Sequence, residues 1–290
     1  MGFATAMQGD ESVLVAEVDP PKGTALEGFV DAVLAFRGRV DAVAVTDGAG
    51  AIMRMTPLAP CRALIERGLD PLLILNGRDR NRISFQGDLL AAAALGVEGL
   101  LLEQGQDPAE GDQPMAASAG DLELDVMLEC VAALDAGRDL GGEALAGRTA
   151  FYTGARIDIS DDVNVNRRRA DELPALADRG VRFAVLGPTY DMNIVDLFAE
   201  RAEDAGLDLL ASVMFLKSVA MIRYLNNLPG VPSVPHAFLK QMMDAPVKQQ
   251  AGLEIAADFL QDVRTRCRGA VLLALGWGER LPAFLDRVGR

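Results

Sequence analysis

The stretch PLLILNGRDRNRISFQGDLLAAAALGVEGLLLEQ, residues 71–104, carries the pattern that decides the fold. An apolar run over 71–76 stops at Asn76-Gly77, and a charged cluster follows: Arg78, Asp79, Arg80, Asn81, Arg82. Leu89, Leu90 and Ala93 then fall on one face of a helix over about 84–95. Gly96 supplies the residue type favoured just past a helix C-terminus. A second apolar run, 99–104, starts almost at once. Neither run alternates polar with apolar residues, as expected of parallel strands covered on both faces.

The same unit repeats in both directions. Strands are expected at 13–18, 41–47, 71–76, 99–104, 149–155, 183–188, 208–213 and 270–276. The helices between them are expected near 26–37, 58–67, 84–95, 122–136, 166–178 and 194–205, with several stretches up to 266 and a last helix at 279–288. Eight such units in 290 residues predict a single (β/α)8 barrel domain spanning 1–290. An open doubly wound sheet fits less well. No glycine-rich phosphate turn follows the first strand, where EVDPPKG stands instead. The acidic stretch 107–120 is the one long loop, and its place after the fourth strand puts it over the C-terminal mouth.

Half of the residues are hydrophobic, enough for a sizeable core, and the net charge is −14. That charge argues against a nucleic-acid partner, which needs a basic face. Cys61, Cys130 and Cys267 are far apart and His236 is the only histidine, so no metal site is expected. Unpaired cysteines, no basic-then-apolar leader and no membrane-length apolar run together predict a cytoplasmic protein. Met1-Gly2 opens like a myristoylation signal, but Ala6 stands where Ser or Thr is needed.

In a (β/α)8 barrel, chemistry sits at the C-terminal ends of the strands. Those ends carry Glu17 and Asp19; Thr46 and Asp47; Asn76, running into Arg78 and Asp79; Glu103, Gln104 and Gln106; Tyr152 and Thr153; Pro188, Thr189, Tyr190 and Asp191; Lys217; and Gly276 and Trp277. The charged cluster therefore falls on the functional face. Arg78, Asp79 and Asn81 are expected to form a pocket rim, with Arg80 and Arg82 solvated or structural. Glu17 is the leading candidate for chemistry. A carboxyl inside an apolar strand can hold a proton near neutral pH. Its bland alternative is a salt bridge to a barrel arginine such as Arg78.

In order along the chain, EVDPPKG (17–23), VDAVAVTDGAGAIMRMTPLA (40–59), RDRNRISFQGDLLAAAALGV (78–97), GRTAFYTGA (147–155), LKSVAMIRYLNNLPGVPSVP (216–235) and QQAGLEIAADFL (249–260) resemble the methylenetetrahydrofolate reductase family, especially its short, anaerobe-type members. The resemblance implies a barrel that binds FAD at its strand ends. It implies reduction of 5,10-methylenetetrahydrofolate to 5-methyltetrahydrofolate by hydride from reduced flavin. Glu17 matches the family's strand-one acid. Thr46, Gly48, Arg78 and Gly105 stand at flavin-compatible positions. Asn76, Gln104 and Gln106 complete the candidate cofactor set, and Asp79, Gln106, Tyr190 and Lys217 form the candidate substrate set. The chain also departs from the family. Gln106 stands where an aspartate is usual, Leu186-Gly187 where threonine-glutamine is usual, and Leu176 at a phosphate-binding lysine. The asparagine-proline pair after strand five is absent from GARIDI. Arg167, Arg168 and Arg169 could take over a phosphate. The partners expected are a folate substrate and an electron-donating partner subunit in a homo- or hetero-oligomer. The alternatives are a flavin-independent folate-binding or methyl-transfer protein and a non-catalytic subunit of a larger one-carbon complex.

Overall fold

The structure is a computed structural model that describes residues 2–276 and 278–290; Trp277, expected at the end of the eighth strand, lies outside them. Eight parallel strands close a barrel in sequence order. They are β1 (Val13–Val18), β2 (Ala42–Val45), β3 (Pro71–Asn76), β4 (Gly99–Glu103), β5 (Tyr152–Ile157), β6 (Phe183–Leu186), β7 (Asp208–Met214) and β8 (Gly269–Leu273). The helices are α1 (Phe3–Gln8), α2 (Glu27–Leu34), α3 (Leu58–Glu66), α4 (Arg82–Ala94), α5 (Leu124–Asp135), α6 (Val163–Asp171), α7 (Leu173–Asp178), α8 (Met192–Asp204), α9 (Val219–Leu225), α10 (His236–Asp244), α11 (Lys248–Arg264) and α12 (Leu281–Arg287). This is the expected (β/α)8 barrel. Its strands are nearly all buried along their length because helices cover their outer faces. Among the described residues no helix is long and apolar enough to cross a membrane.

Register sets the site. Glu17 lies opposite Ala44 of β2 and Leu273 of β8, and Asn76 lies opposite Glu103 of β4. All five are near the C-terminal ends of their strands.

Three expectations shift. Strand five was expected at 149–155, but β5 begins at Tyr152 and ends at Ile157. Tyr152 is pinned at the N-terminal end, stacked on Phe183 at 5.7 Å and edge-on to Phe3 at 6.0 Å. That anchor carries Arg156 to the mouth and takes Tyr152 and Thr153 away from it. The helix expected over 166–178 is two helices, because Pro174, in the first turn of α7, supplies no N–H to continue α6. Finally, α1 was not expected. It plugs the N-terminal end with buried Phe3 and Met7. Arg268 holds it there, donating to the carbonyls of Ala6 at 2.6 Å, Met7 at 3.0 Å and Gly9 at 2.5 Å.

The last residue is held on the same face. Arg290 donates to the Ser12 carbonyl at 2.8 Å and to Asp41 at 3.0 Å, while Arg39 donates to the Arg290 carbonyl. At the other end of the barrel, the 107–120 loop straps across the loops after β1, β2 and β3. Lys22 pairs with Asp112, the Met53 N–H donates to Asp112 at 2.8 Å, and the Ala119 N–H donates to the Arg78 carbonyl at 2.8 Å.

Candidate active site

The charged cluster after β3 resolves into separate jobs. Asn76 is fully buried. Its side-chain amide donates to the backbone and side chain of Asp47, each at 2.8 Å, and its oxygen accepts from the Asp79 N–H at 3.1 Å. Arg80, also buried, pairs with Asp47 and with Asp88 at 2.7 Å, so it is structural. Arg82 pairs with Asp121 at 3.1 Å in solvent. Asn81, expected at the pocket rim, is instead the N-cap of α4: its Oδ1 accepts from Ile83 and Ser84, and Ser84 Oγ returns the bond. A short polar side chain before a helix meets two N–H groups that have no partner within the helix, and this need outcompetes a ligand.

Arg78 and Asp79 do face the mouth, but they face each other first. Arg78 Nε donates to Asp79 at 2.7 Å and its Nη1 to the Gln106 carbonyl at 3.0 Å. The Asp79 carboxyl is held below its usual range, chiefly by that hydrogen bond. Gly48 and Gly105 make room for this guanidinium. Both have positive φ (60° and 82°). A Cβ on Gly48 would stand 2.9 Å from Arg78 Nη2, and one on Gly105 would stand 3.1 Å from Arg78 Cβ.

The remaining candidate cofactor residues are also bonded within the protein. Thr46 donates to Asp19 at 2.8 Å, Gln104 donates to the Leu122 carbonyl at 2.7 Å, and the Gln106 side-chain oxygen accepts from the Gly50 N–H at 2.9 Å. Lys217 donates to the Leu275 carbonyl beyond β8. Tyr190, expected to touch substrate, has its side chain almost fully buried. It is buried between Phe238 and Phe259, and its hydroxyl donates to the Met214 carbonyl. Burial pushes its phenol up. Leu176 is a buried residue of α7, packed in the core. Arg167 and Arg168 point to solvent, and Arg169 donates to the Asp158 carbonyl at 3.0 Å.

Glu17 does form an ion pair, but its partner is Arg156, not Arg78. Arg156 Nη2 donates to Glu17 at 2.6 Å and its Nε to Glu103 at 2.8 Å. Arg78 is occupied by Asp79, whereas the true end of β5 aims Arg156 into the barrel. Two carboxylates flank one guanidinium, and each of the three side chains is about one-seventh exposed or less. Burial works against the charge on Arg156, but Glu17 and Glu103 more than offset it, so the guanidinium is held above its usual range. Burial pushes the Glu103 carboxyl up, Arg156 opposes that, and the nearby Glu17 adds to it. Removing Arg156 alone would strand two buried carboxylates, a change that typically costs about 3–5 kcal/mol. Sequence reasoning did not single out Arg156. The available signal was a second charged residue inside an apolar strand, which needs a counter-ion as Glu17 does.

Three cavities open at this end of the barrel. One of 430 Å³ lies beside Arg78, Asp79 and Gln113. One of 830 Å³ runs from Glu17 and Asp19 past Phe29, Phe36 and Leu273 to Pro282. One of 340 Å³ lies over Glu103, Gln106 and Arg156. The Glu17–Arg156–Glu103 bridge joins the wall of the second to the wall of the third.

The fold has solved relatives. The EDTA monooxygenase EmoA from Chelativorans sp. BNC1 superposes with a TM-score of 0.58 at 12% identity, over 96% of this chain and 93% of that one. A tryptophan synthase from M. tuberculosis gives 0.47 at 13% identity, over 88% of this chain and 97% of that one. At 12% identity the likeness to EmoA concerns the fold alone. A search of curated proteins finds no match. The sequence model described as "Methylenetetrahydrofolate reductase" matches residues 3–276, from the plug helix to the turn after β8. That span includes all eight strands and every candidate residue at the mouth, and the chain belongs to the methylenetetrahydrofolate reductase family.

Proposed function

We propose that the chain is an oxidoreductase that reduces 5,10-methylenetetrahydrofolate to 5-methyltetrahydrofolate. Family membership supports a flavin-linked oxidoreductase, and the position of Glu17 carries the specific reading. Glu17 stands at the end of β1, on the wall of an 830 Å³ cavity large enough for a folate head. In this reading Glu17 protonates the ring nitrogen of the folate, so that the methylene bridge opens. Arg156 then stabilises the carboxylate left behind.

A bound flavin would supply the hydride. The chain fits a flavin ring better than a whole FAD. Gln106 and Arg156 offer polar edges beside the 340 Å³ cavity, but Arg78 is committed to Asp79 and Leu176 is buried where a lysine would meet phosphate. Gln106 and Leu176 each remove a polar contact, so FAD should bind more weakly than is usual for the family. Each charge-assisted hydrogen bond lost weakens binding about tenfold or more. Electrons would reach the flavin from a partner subunit.

A second reading, folate binding without flavin, is favoured by the internal hydrogen bonds of Thr46, Asn76, Arg78, Gln104 and Gln106. The test is an absorbance spectrum of the purified protein, followed by fluorescence titration with FAD and an anaerobic turnover assay with reductant and 5,10-methylenetetrahydrofolate. The proposal expects weak, saturable flavin binding and production of 5-methyltetrahydrofolate. Flavin retained stoichiometrically through gel filtration would contradict the weak-binding expectation. No turnover with flavin and reductant supplied would leave the flavin-free reading.

A further inference from the structure

The foot of the barrel, opposite the mouth, carries a cleft that the proposed chemistry does not use. Its volume is 610 Å³, and α1 and the segments entering β4, β5, β6 and β7 wall it. Backbone hydrogen bonds fix the order of the side chains along its rim. The Tyr152 N–H donates to the Glu98 carbonyl at 2.8 Å, the Arg182 N–H to the Thr153 carbonyl at 2.8 Å, and the Asp208 N–H to the Arg182 carbonyl at 3.3 Å. Glu98, Tyr152, Arg182 and Asp208 therefore follow one another from strand to strand, all on the cleft wall.

Arg182 and Glu98 are uncommitted. Among the described residues neither side chain makes a hydrogen bond or an ion pair, although they carry opposite charges in one cleft. Exposed charges alone are ordinary solvated surface. Here they rim a cleft whose wall also holds a half-buried carboxyl and a half-buried phenol. Burial pushes the Asp208 carboxyl up, with the Arg268 guanidinium and the Tyr152 phenol opposing it. Burial likewise pushes the Tyr152 phenol up, so it stays a neutral hydrogen-bonding group. Arg268 is already bonded to the carbonyls of α1, which leaves Arg182 as the guanidinium open to a ligand.

Charge decides what the cleft can hold. An anion alone meets two carboxylates, and a cation alone leaves Arg182 unmet. A molecule with a carboxylate and an ammonium on one carbon answers both. Arg182 takes the carboxylate through two parallel N–H donors, and the ammonium donates to the carboxylates. Ala4, Ala150 and Phe151 make the rest of the wall apolar, which suits an uncharged side chain. The volume lies within the range for small-ligand pockets, about 300–1,000 Å³.

We propose that the foot of the barrel binds an apolar α-amino acid, with its carboxylate on Arg182 and its ammonium on Asp208 and Glu98. The site is separate from the mouth. Tyr152 and Arg156 lie toward opposite ends of β5, about 13 Å apart along the strand. The inference does not depend on the reaction proposed at Glu17.

The test is calorimetric titration of the whole chain with two probes, L-leucine and L-phenylalanine. Each is compared with its two one-charge analogues, the acid that lacks the amine and the amine that lacks the acid. At least one amino acid should bind saturably, about tenfold or more tighter than either of its analogues. Arg182→Gln, at an exposed and unpaired position, should melt with the wild type and weaken that binding by about tenfold or more. Asp208→Asn should weaken it as well; should that variant fail to fold, Glu98→Gln tests the ammonium side instead. Saturation by neither amino acid would overturn the inference. So would a one-charge analogue that binds as tightly as its amino acid, or an unchanged affinity in Arg182→Gln. None of these outcomes bears on turnover at the mouth.

Discussion

At the scale of single residues, the mouth contrasts one acid with many committed side chains. If Glu17 is the general acid, Glu17→Gln should leave flavin reduction nearly unchanged and lower folate turnover by about 10²–10⁴-fold. Stopped-flow absorbance follows both half-reactions, and a wild-type folate rate would make Glu17 only the partner of Arg156. Gly105 allows a cleaner stability test. Gly105→Ala must adopt a φ of 82° and crowd Arg78 and Asn76, so it should destabilise the protein by roughly 1–3 kcal/mol, read from urea unfolding. Glu17 was legible because a carboxylate in an apolar run stands out. Arg156 was not, because an arginine directly after the expected strand end at 155 reads as the start of a loop. Tyr190 looked available in sequence, and only the packing of Phe238 and Phe259 around it decides otherwise.

At the scale of elements, the segment after β3 shows how one short sequence serves helix and site together. Asn81 caps α4 and Arg80 ties its first turns to Asp47, so the loop that carries Arg78 is anchored on both sides. Asn81→Ala should cost about 0.5–2 kcal/mol in a urea titration. Asp or Ser at the same position, being alternative caps, should retain most of it; the informative comparison is therefore Asn81→Ser, which should lose little. A full loss in Asn81→Ser would mean that the side chain does more than cap. Strand existence and order were legible from the eight apolar runs. Strand ends were not, because the N-terminal anchor of β5 is an aromatic contact with Phe3, 149 residues before Tyr152 in a helix that no pattern announced. The α6–α7 break was present as Pro174, but the helical periodicity on either side concealed it.

At the scale of the whole molecule, closure of the barrel means that no strand is an edge, and the two faces can take on different work. The C-terminal face holds the ion bridge, the cavities and the strap loop. The opposite face holds α1, the Arg268 anchor and the last residue, with Arg290 bonded to Ser12 beside the start of β1. The strand order is thus a cycle, and the chain break between β8 and β1 is only one of several possible cuts. A circular permutant that joins residue 290 to residue 1 through a linker, with new ends at the exposed Gly141-Gly142 turn, keeps α1 and every strand neighbour and leaves the mouth untouched. It should melt cooperatively and bind the same probes as the parent, while loss of its barrel circular-dichroism signal would mean that the order of synthesis, and not only the closed ring of contacts, guides this chain to its fold.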